Sequence, residues 1–230
     1  GRHHHPAALE MIASACASGL PVLEMWDWQE KNSERLSQTV ASPEVLRVGF
    51  DHHRAGEQMA NHLQRCGYRD FVFMDSGVLE DFRAHERGQG FAQAIRVAGQ
   101  PCSVITAPEG DAVLAGRAAL AAWHATEVSQ GRTHVHCGMA FANDMLAAGA
   151  WGLAQELALR CPEQLGLLGF GDFPLARYWG GGLSTLRIDG ERIGRECAQL
   201  IQSQLEFAPE AAPRTNLQVH VAPELMVRAT

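Results

Sequence analysis

Short apolar runs alternate along the chain with longer stretches in which apolar residues recur every three or four positions. Leu20 to Trp26, Val45 to Phe50, Phe71 to Met74, Val104 to Thr106, His134 to Phe141 and Leu165 to Phe170 read as strands. Gln218 to Val221 and Leu225 to Val227 read as two late strands. Ala7 to Ser18, Arg54 to Cys66, His85 to Val97, Asp111 to His124, Asn143 to Leu157 and Ile188 to Phe207 read as helices. In the second of these, Ala55, Met59, Leu63 and Cys66 share one face, Asp51 stands where an N-cap belongs and Gly67 stops the helix. Gly99 stops the third in the same way. No internal repeat is visible. Gln29 to Pro43, Ser76 to Phe82, Phe173 to Gly182 and Ala208 to Arg214 are rich in Pro, Gly and charge, and are expected to be the most mobile.

Apolar strands alternating with amphipathic helices predict an α/β fold, a parallel sheet with helices on both faces. Ligands in such folds sit beyond the carboxyl ends of the strands. Those ends are Trp26-Asp27, Phe50-Asp51, Asp75-Ser76, Ala142-Asn143 and Gly171-Asp172, and polar residues recur there.

Composition narrows the function. The 230 residues are 46% hydrophobic and 20% charged, enough for a real core and ordinary for a globular chain. The formal net charge of -7 shows no basic footprint, so any DNA reading is expected to lie outside these residues. No apolar run is as long as a membrane span, and Gly1 to Pro6 has no signal-peptide pattern. The six cysteines form no CxxC pair, which argues against a zinc ribbon and for reduced thiols in a cytoplasm.

Five segments, in order, carry a family likeness. VGFDHHRAGEQMANHLQRCGYRDFVFM, RAHERGQGFAQAIRVAG, FANDMLAAGAWGLAQELALRCPEQLGLLGFGD, LSTLRIDGERIGRECAQLI and APELMVRAT resemble successive segments of the LacI/GalR family of bacterial transcriptional regulators. The resemblance runs from near residue 7 to the C-terminus. It implies a periplasmic-binding-protein-like core of two Rossmann-like subdomains joined by crossover strands, with an effector in the cleft, homodimerisation, and an N-terminal helix-turn-helix on operator DNA. Residues 1–50 with 190–217 are expected in a partial N-subdomain, and 51–186 with 218–230 in the C-subdomain. The DNA-binding headpiece is expected to be absent from this chain. No cofactor, metal or catalysis is implied.

The resemblance also suggests a site. Arg87, on the helix of the R..GF motif, is expected to hold effector oxygens with its permanent charge and planar fork of donors. Asn143 is expected to bind a ligand hydroxyl and Asp144 to combine that with capping, both being good cap residues. Where the family commonly has GFDD, this chain has Gly169-Phe170-Gly171-Asp172. Gly171 removes a carboxylate from the site, which favours an anionic effector, or it merely relaxes a turn. Arg2, His3, His4 and His5 are placed at a strand end facing the cleft. Together these features look like the gluconate-repressor branch and suggest a sugar acid. Trp26 and Phe50 are candidates for an apolar wall against a sugar ring, or for core packing. Glu24 is a candidate hydroxyl acceptor, and strand alternation puts it on the same face as Trp26, opposite Asp27.

Other motifs lead elsewhere. Asp51-His52-His53 resembles a metal-ligand signature of a phosphoesterase family but lacks fitting partners, and Asp51 serves as an N-cap on the simpler reading. His134 and His136 lack a placed third zinc ligand. Gly180-Gly181-Gly182 is followed by no Lys-Ser/Thr, so it is no phosphate loop, and GxSxG is absent. The alternatives to a repressor core are a periplasmic-type sugar-binding protein, which an upstream signal peptide would mark, and a metal-dependent hydrolase, which metal content would mark.

Overall fold

The computed structural model describes residues 6–28, 46–78, 81–132, 136–206 and 218–230. Expectations about Arg2 and the histidines at 3 to 5, about 29–43, about His134 and about 208–214 lie outside these residues. In chain order the elements are α1 (Pro6–Ala17), β1 (Leu23–Asp27), β2 (Leu46–Phe50), α2 (His52–Arg65), β3 (Asp70–Asp75), α3 (Phe82–Val97), β4 (Cys102–Thr106), α4 (Ala112–Ser129), β5 (Cys137–Phe141), α5 (Asp144–Glu156), β6 (Leu165–Gly171), α6 (Pro174–Tyr178), β7 (Ser184–Arg187), α7 (Gly190–Glu206), β8 (Gln218–His220) and β9 (Glu224–Met226). The α/β pattern of apolar strand and amphipathic helix therefore holds along the chain.

The chain divides into two compact units. One comprises residues 1–51 and 189–222, the other 52–188 and 223–230. The first unit has a parallel sheet of order β1-β2-β8, with α7 against β1 and β2. β8 belongs here because it pairs in parallel with β2, Val48 opposite Val219. Residues 218–222, expected in the other subdomain, thus lie in the first unit. That pairing is long-range, so no local signal announces it.

The second unit carries a six-stranded sheet of order β4-β3-β5-β6-β7-β9. β3 to β7 are parallel, and β9 returns antiparallel along β7. α2 packs on α3 and α4 packs on α5, giving a helix layer on each face of the sheet. Central strands are therefore covered twice. β5 is buried throughout and β6 is buried up to Phe170, which is why their sequences are continuous apolar runs rather than alternating ones. β4 lies at the edge and is largely exposed, which explains its weak apolar signal. α6 and β7 fall in or just beyond a stretch expected to be mobile. They are only five and four residues long, too short for periodicity to register.

Both helix layers are set by glycine. A Cβ on Gly56 of α2 would lie 2.0 Å from the carbonyl oxygen of Arg87 in α3, and one on Gly90 of α3 would lie 2.0 Å from that of His53 in α2. α4 and α5 repeat the arrangement, with Gly116 against the Leu146 carbonyl and Gly149 against that of Val113. Each pair thus touches backbone to backbone at two reciprocal points, closer than any side chain allows. Caps then fix where the helices begin. Asp81, Asp111 and Asn143 each accept hydrogen bonds from amides of the first turn of α3, α4 and α5.

Gly149 and Gly152 lie one turn apart in α5, and they are expected to respond oppositely to alanine. Gly149→Ala should cost about 1–3 kcal/mol through overpacking. A Cβ on Gly152 meets only the Trp179 ring at 3.9 Å. Gly152→Ala should therefore be neutral or gain up to about 1 kcal/mol of helix propensity. Urea denaturation of the two variants checks this.

Candidate functional site

The order of the second sheet places a topological switch at β3. The chain leaves β3 outward to β4, then crosses back to form β5 on the other side of β3. At such a point the connections diverge, and a crevice opens beyond the carboxyl ends of the two central strands. The backbone there is tied by Ala142 N–H donating to the Met74 carbonyl at 2.9 Å.

Arg87 reaches this point from α3. Its Nη2 donates to the Ala142 carbonyl at 2.7 Å, and its Nη1 lies 2.8 Å from Nδ1 of His52. The guanidinium carbon stands 3.9 Å from the ring centroid of Phe170, near the end of β6, a cation–π stack. The residue is 5% exposed. Burial lowers its pKa to about 10, which still leaves it cationic at neutral pH. Among the described residues no carboxylate lies within ion-pair distance of it, and its Nε has no hydrogen-bond partner. Asp81 and Asp75 act on it only through space. Arg87 is thus a buried cation held by a carbonyl, an imidazole and a ring.

Asn143 and Asp144 divide their work differently from the expectation. Asn143 is the cap: its Oδ1 accepts from the amides of Met145 and Leu146 at 3.0 Å each. Asp144 is fully buried, accepting from Thr185 Oγ1 at 2.6 Å and from the Phe173 amide at 2.7 Å. Burial raises its pKa, opposed by those two bonds. Gly169 leaves room for it, since a Cβ there would stand 2.1 Å from Asp144 Oδ1. Asp144 thus ties α5 to β7 and the loop after β6, and both its oxygens are used within the protein.

Gly171 has φ +123°, and a Cβ would press on the Phe173 ring at 2.9 Å. The glycine therefore has a backbone reason of its own, besides removing a carboxylate. The neighbouring Asp172 is buried and held by Arg177 at 3.1 Å and Arg228 at 2.5 Å. Its charge is neutralised inside the fold.

Trp26, Phe50 and Glu24 belong to the first unit. Trp26 meets Phe50 edge to face at 6.0 Å. Phe50 is buried, and Trp26 is 36% exposed with φ +75°. That left-handed residue breaks the strand alternation, so Trp26 is exposed while Glu24 is buried. Glu24 pairs in the core instead, its Oε2 accepting from Arg47 Nε at 2.9 Å across β1 and β2. Asp51, His52 and His53 do not gather around a metal. His52 turns to Arg87, while His53 lies 3.1 Å from the Gln93 side chain and 3.4 Å from Glu57. Among the described residues no cluster of three or more His, Cys, Asp or Glu side chains could hold a metal ion, and no helix is long and apolar enough to cross a membrane. In the sequence His52 stands out only within the Asp51-His52-His53 run, and nothing local marks it as the partner of Arg87.

Glu24→Ala leaves Arg47 buried without this carboxylate. It should lower stability by about 3–5 kcal/mol in urea denaturation, the usual cost of breaking a buried ion pair from one side.

Residues 60–230 match the periplasmic binding protein-like domain. Over 185 residues, 80% of the chain, it is 32% identical to the HTH-type transcriptional regulator GntR of Pseudomonas aeruginosa, covering 48% of that protein. It is 23% identical over 239 residues to the HTH-type transcriptional repressor PurR of Haemophilus influenzae, covering 96% of this chain and 66% of PurR. The chain thus spans about half of the first relative and about two thirds of the second. Among solved structures, a LacI-family transcriptional regulator from Silicibacter pomeroyi superposes with a TM-score of 0.78 at 29% identity, over 99% of this chain and 62% of that one. Together these place the chain in the periplasmic binding protein-like domain family, among relatives that are LacI-family transcriptional regulators.

Proposed function

We propose that this chain is the effector-binding core of a transcriptional repressor, and that its effector is a small sugar acid of the gluconate type. The observation that carries the reading is Arg87: a buried, stacked guanidinium with no carboxylate in ion-pair range among the described residues, at the switch point of a parallel sheet. An effector carboxylate would supply the missing negative charge and accept from a planar fork. A neutral sugar would leave the cation uncompensated. Gly171, where the family commonly has a carboxylate, keeps a competing anion away. The likeness to the GntR regulator points to the same branch.

In this reading the whole protein is a cytoplasmic homodimer that reads operator DNA through a helix-turn-helix part. The effector changes operator affinity only by as much as it prefers one conformational state of the core over the other. Asn143 offers its carboxamide beside Arg87's carbonyl partner Ala142. The protein is not an enzyme in this account, because the site's chemistry is charge recognition.

Calorimetric titration with gluconate, 2-ketogluconate and glucose tests the reading. An acid should bind far more tightly than glucose. Arg87→Ala should weaken acid binding about tenfold to a hundredfold, the worth of charge-assisted hydrogen bonds. Arg87→Lys, which keeps the charge but loses the fork, should recover only part of it. Equal binding of glucose, or of the acid by Arg87→Ala, contradicts the assignment.

A further inference from the structure

His52 stands first in α2, one turn before Gly56. Gly56 lies against the Arg87 carbonyl, so the backbone that carries the histidine and the backbone that carries the arginine are locked together at close range. From this position Nδ1 of His52 meets Nη1 of Arg87 at 2.8 Å, and both side chains are buried. An arginine has donors only. The histidine nitrogen in this contact must therefore be the acceptor, its lone pair unprotonated. That fixes the ring as the neutral form with its proton on Nε2.

A buried arginine is ordinarily oriented by Asp or Glu, which aims the fork and cancels its charge in one step. Here the Ala142 carbonyl, the His52 imidazole and the Phe170 ring do the aiming, and all three are uncharged. The guanidinium is fixed in direction while its net charge stays available. We infer that His52 is the specificity-determining positioning residue of this site, a neutral acceptor that aims Arg87 without neutralising it and so makes the site select an acid over a neutral sugar. This rests on the proposed binding of a sugar acid at Arg87, and it adds what sets the preference.

Two substitutions separate aim from charge. The side-chain oxygens of Asn and Asp both stand close to where Nδ1 of histidine stands, so either can accept from Arg87. His52→Asn retains a neutral acceptor and should keep the gluconate-over-glucose preference within about threefold. His52→Asp neutralises Arg87 and should cut gluconate affinity at least about tenfold, without weakening glucose binding. A merely structural role would not reverse with the sign of the side chain. In nitrogen-15 NMR of the wild-type protein at neutral pH, His52 should show an unprotonated Nδ1 and a protonated Nε2. A protonated Nδ1, or a gluconate preference that survives His52→Asp, overturns the role given to His52 while leaving the effector reading intact. A wild-type protein that binds gluconate no better than glucose overturns both.

Discussion

The crossing of α2 and α3 is the constraint on which the rest of the site depends. Two glycines, Gly56 and Gly90, let each helix rest on a carbonyl of the other, and the carbonyl beneath Gly56 is that of Arg87 itself. Any larger residue would push the helices apart. Because the approach is backbone to backbone, it leaves little play. Arg87 is delivered under Phe170 and beside Ala142, and His52 is delivered beside Arg87, by the same contact. A long side chain on a helix face is usually free to find water. Here its fork is pinned where water is excluded.

Burial then turns geometry into chemistry. A guanidinium costs free energy to desolvate, and the cation–π stack and two hydrogen bonds recover only part of that cost. The buried carboxylates of Asp144 and Asp172 are already occupied. Asp144 accepts from Thr185 and the Phe173 amide, and Asp172 sits between Arg177 and Arg228. The fold therefore separates its charges. The buried carboxylates beside the loop after β6 are bonded within the protein, and the cation at the switch point is held by neutral groups. In the proposed reading an acidic ligand completes that arrangement at one place.

Much of this was legible in the residues. Strand and helix alternation and the buried run of β6 follow from local pattern, and Arg87 stands out through the family resemblance of its helix. What escaped is non-local. β8 joins the first unit through a pairing with β2 that spans most of the chain, and Glu24 is claimed by Arg47 on the neighbouring strand. Strand alternation misplaced Trp26 because one residue at positive φ interrupts it. Asp144, next to a capping asparagine, had the sequence signature of a ligand group but is used by a threonine 41 positions away. His52 and Arg87 are 35 positions apart, and only the packed helix pair brings them together.

A crystal structure of the chain with gluconate tests the central claim most directly. The account predicts the carboxylate on the free donors of Arg87, with the guanidinium still stacked on Phe170 and still bonded to His52 Nδ1. Gluconate bound elsewhere, or its carboxylate turned away from Arg87 while a hydroxyl faces the guanidinium, would contradict it.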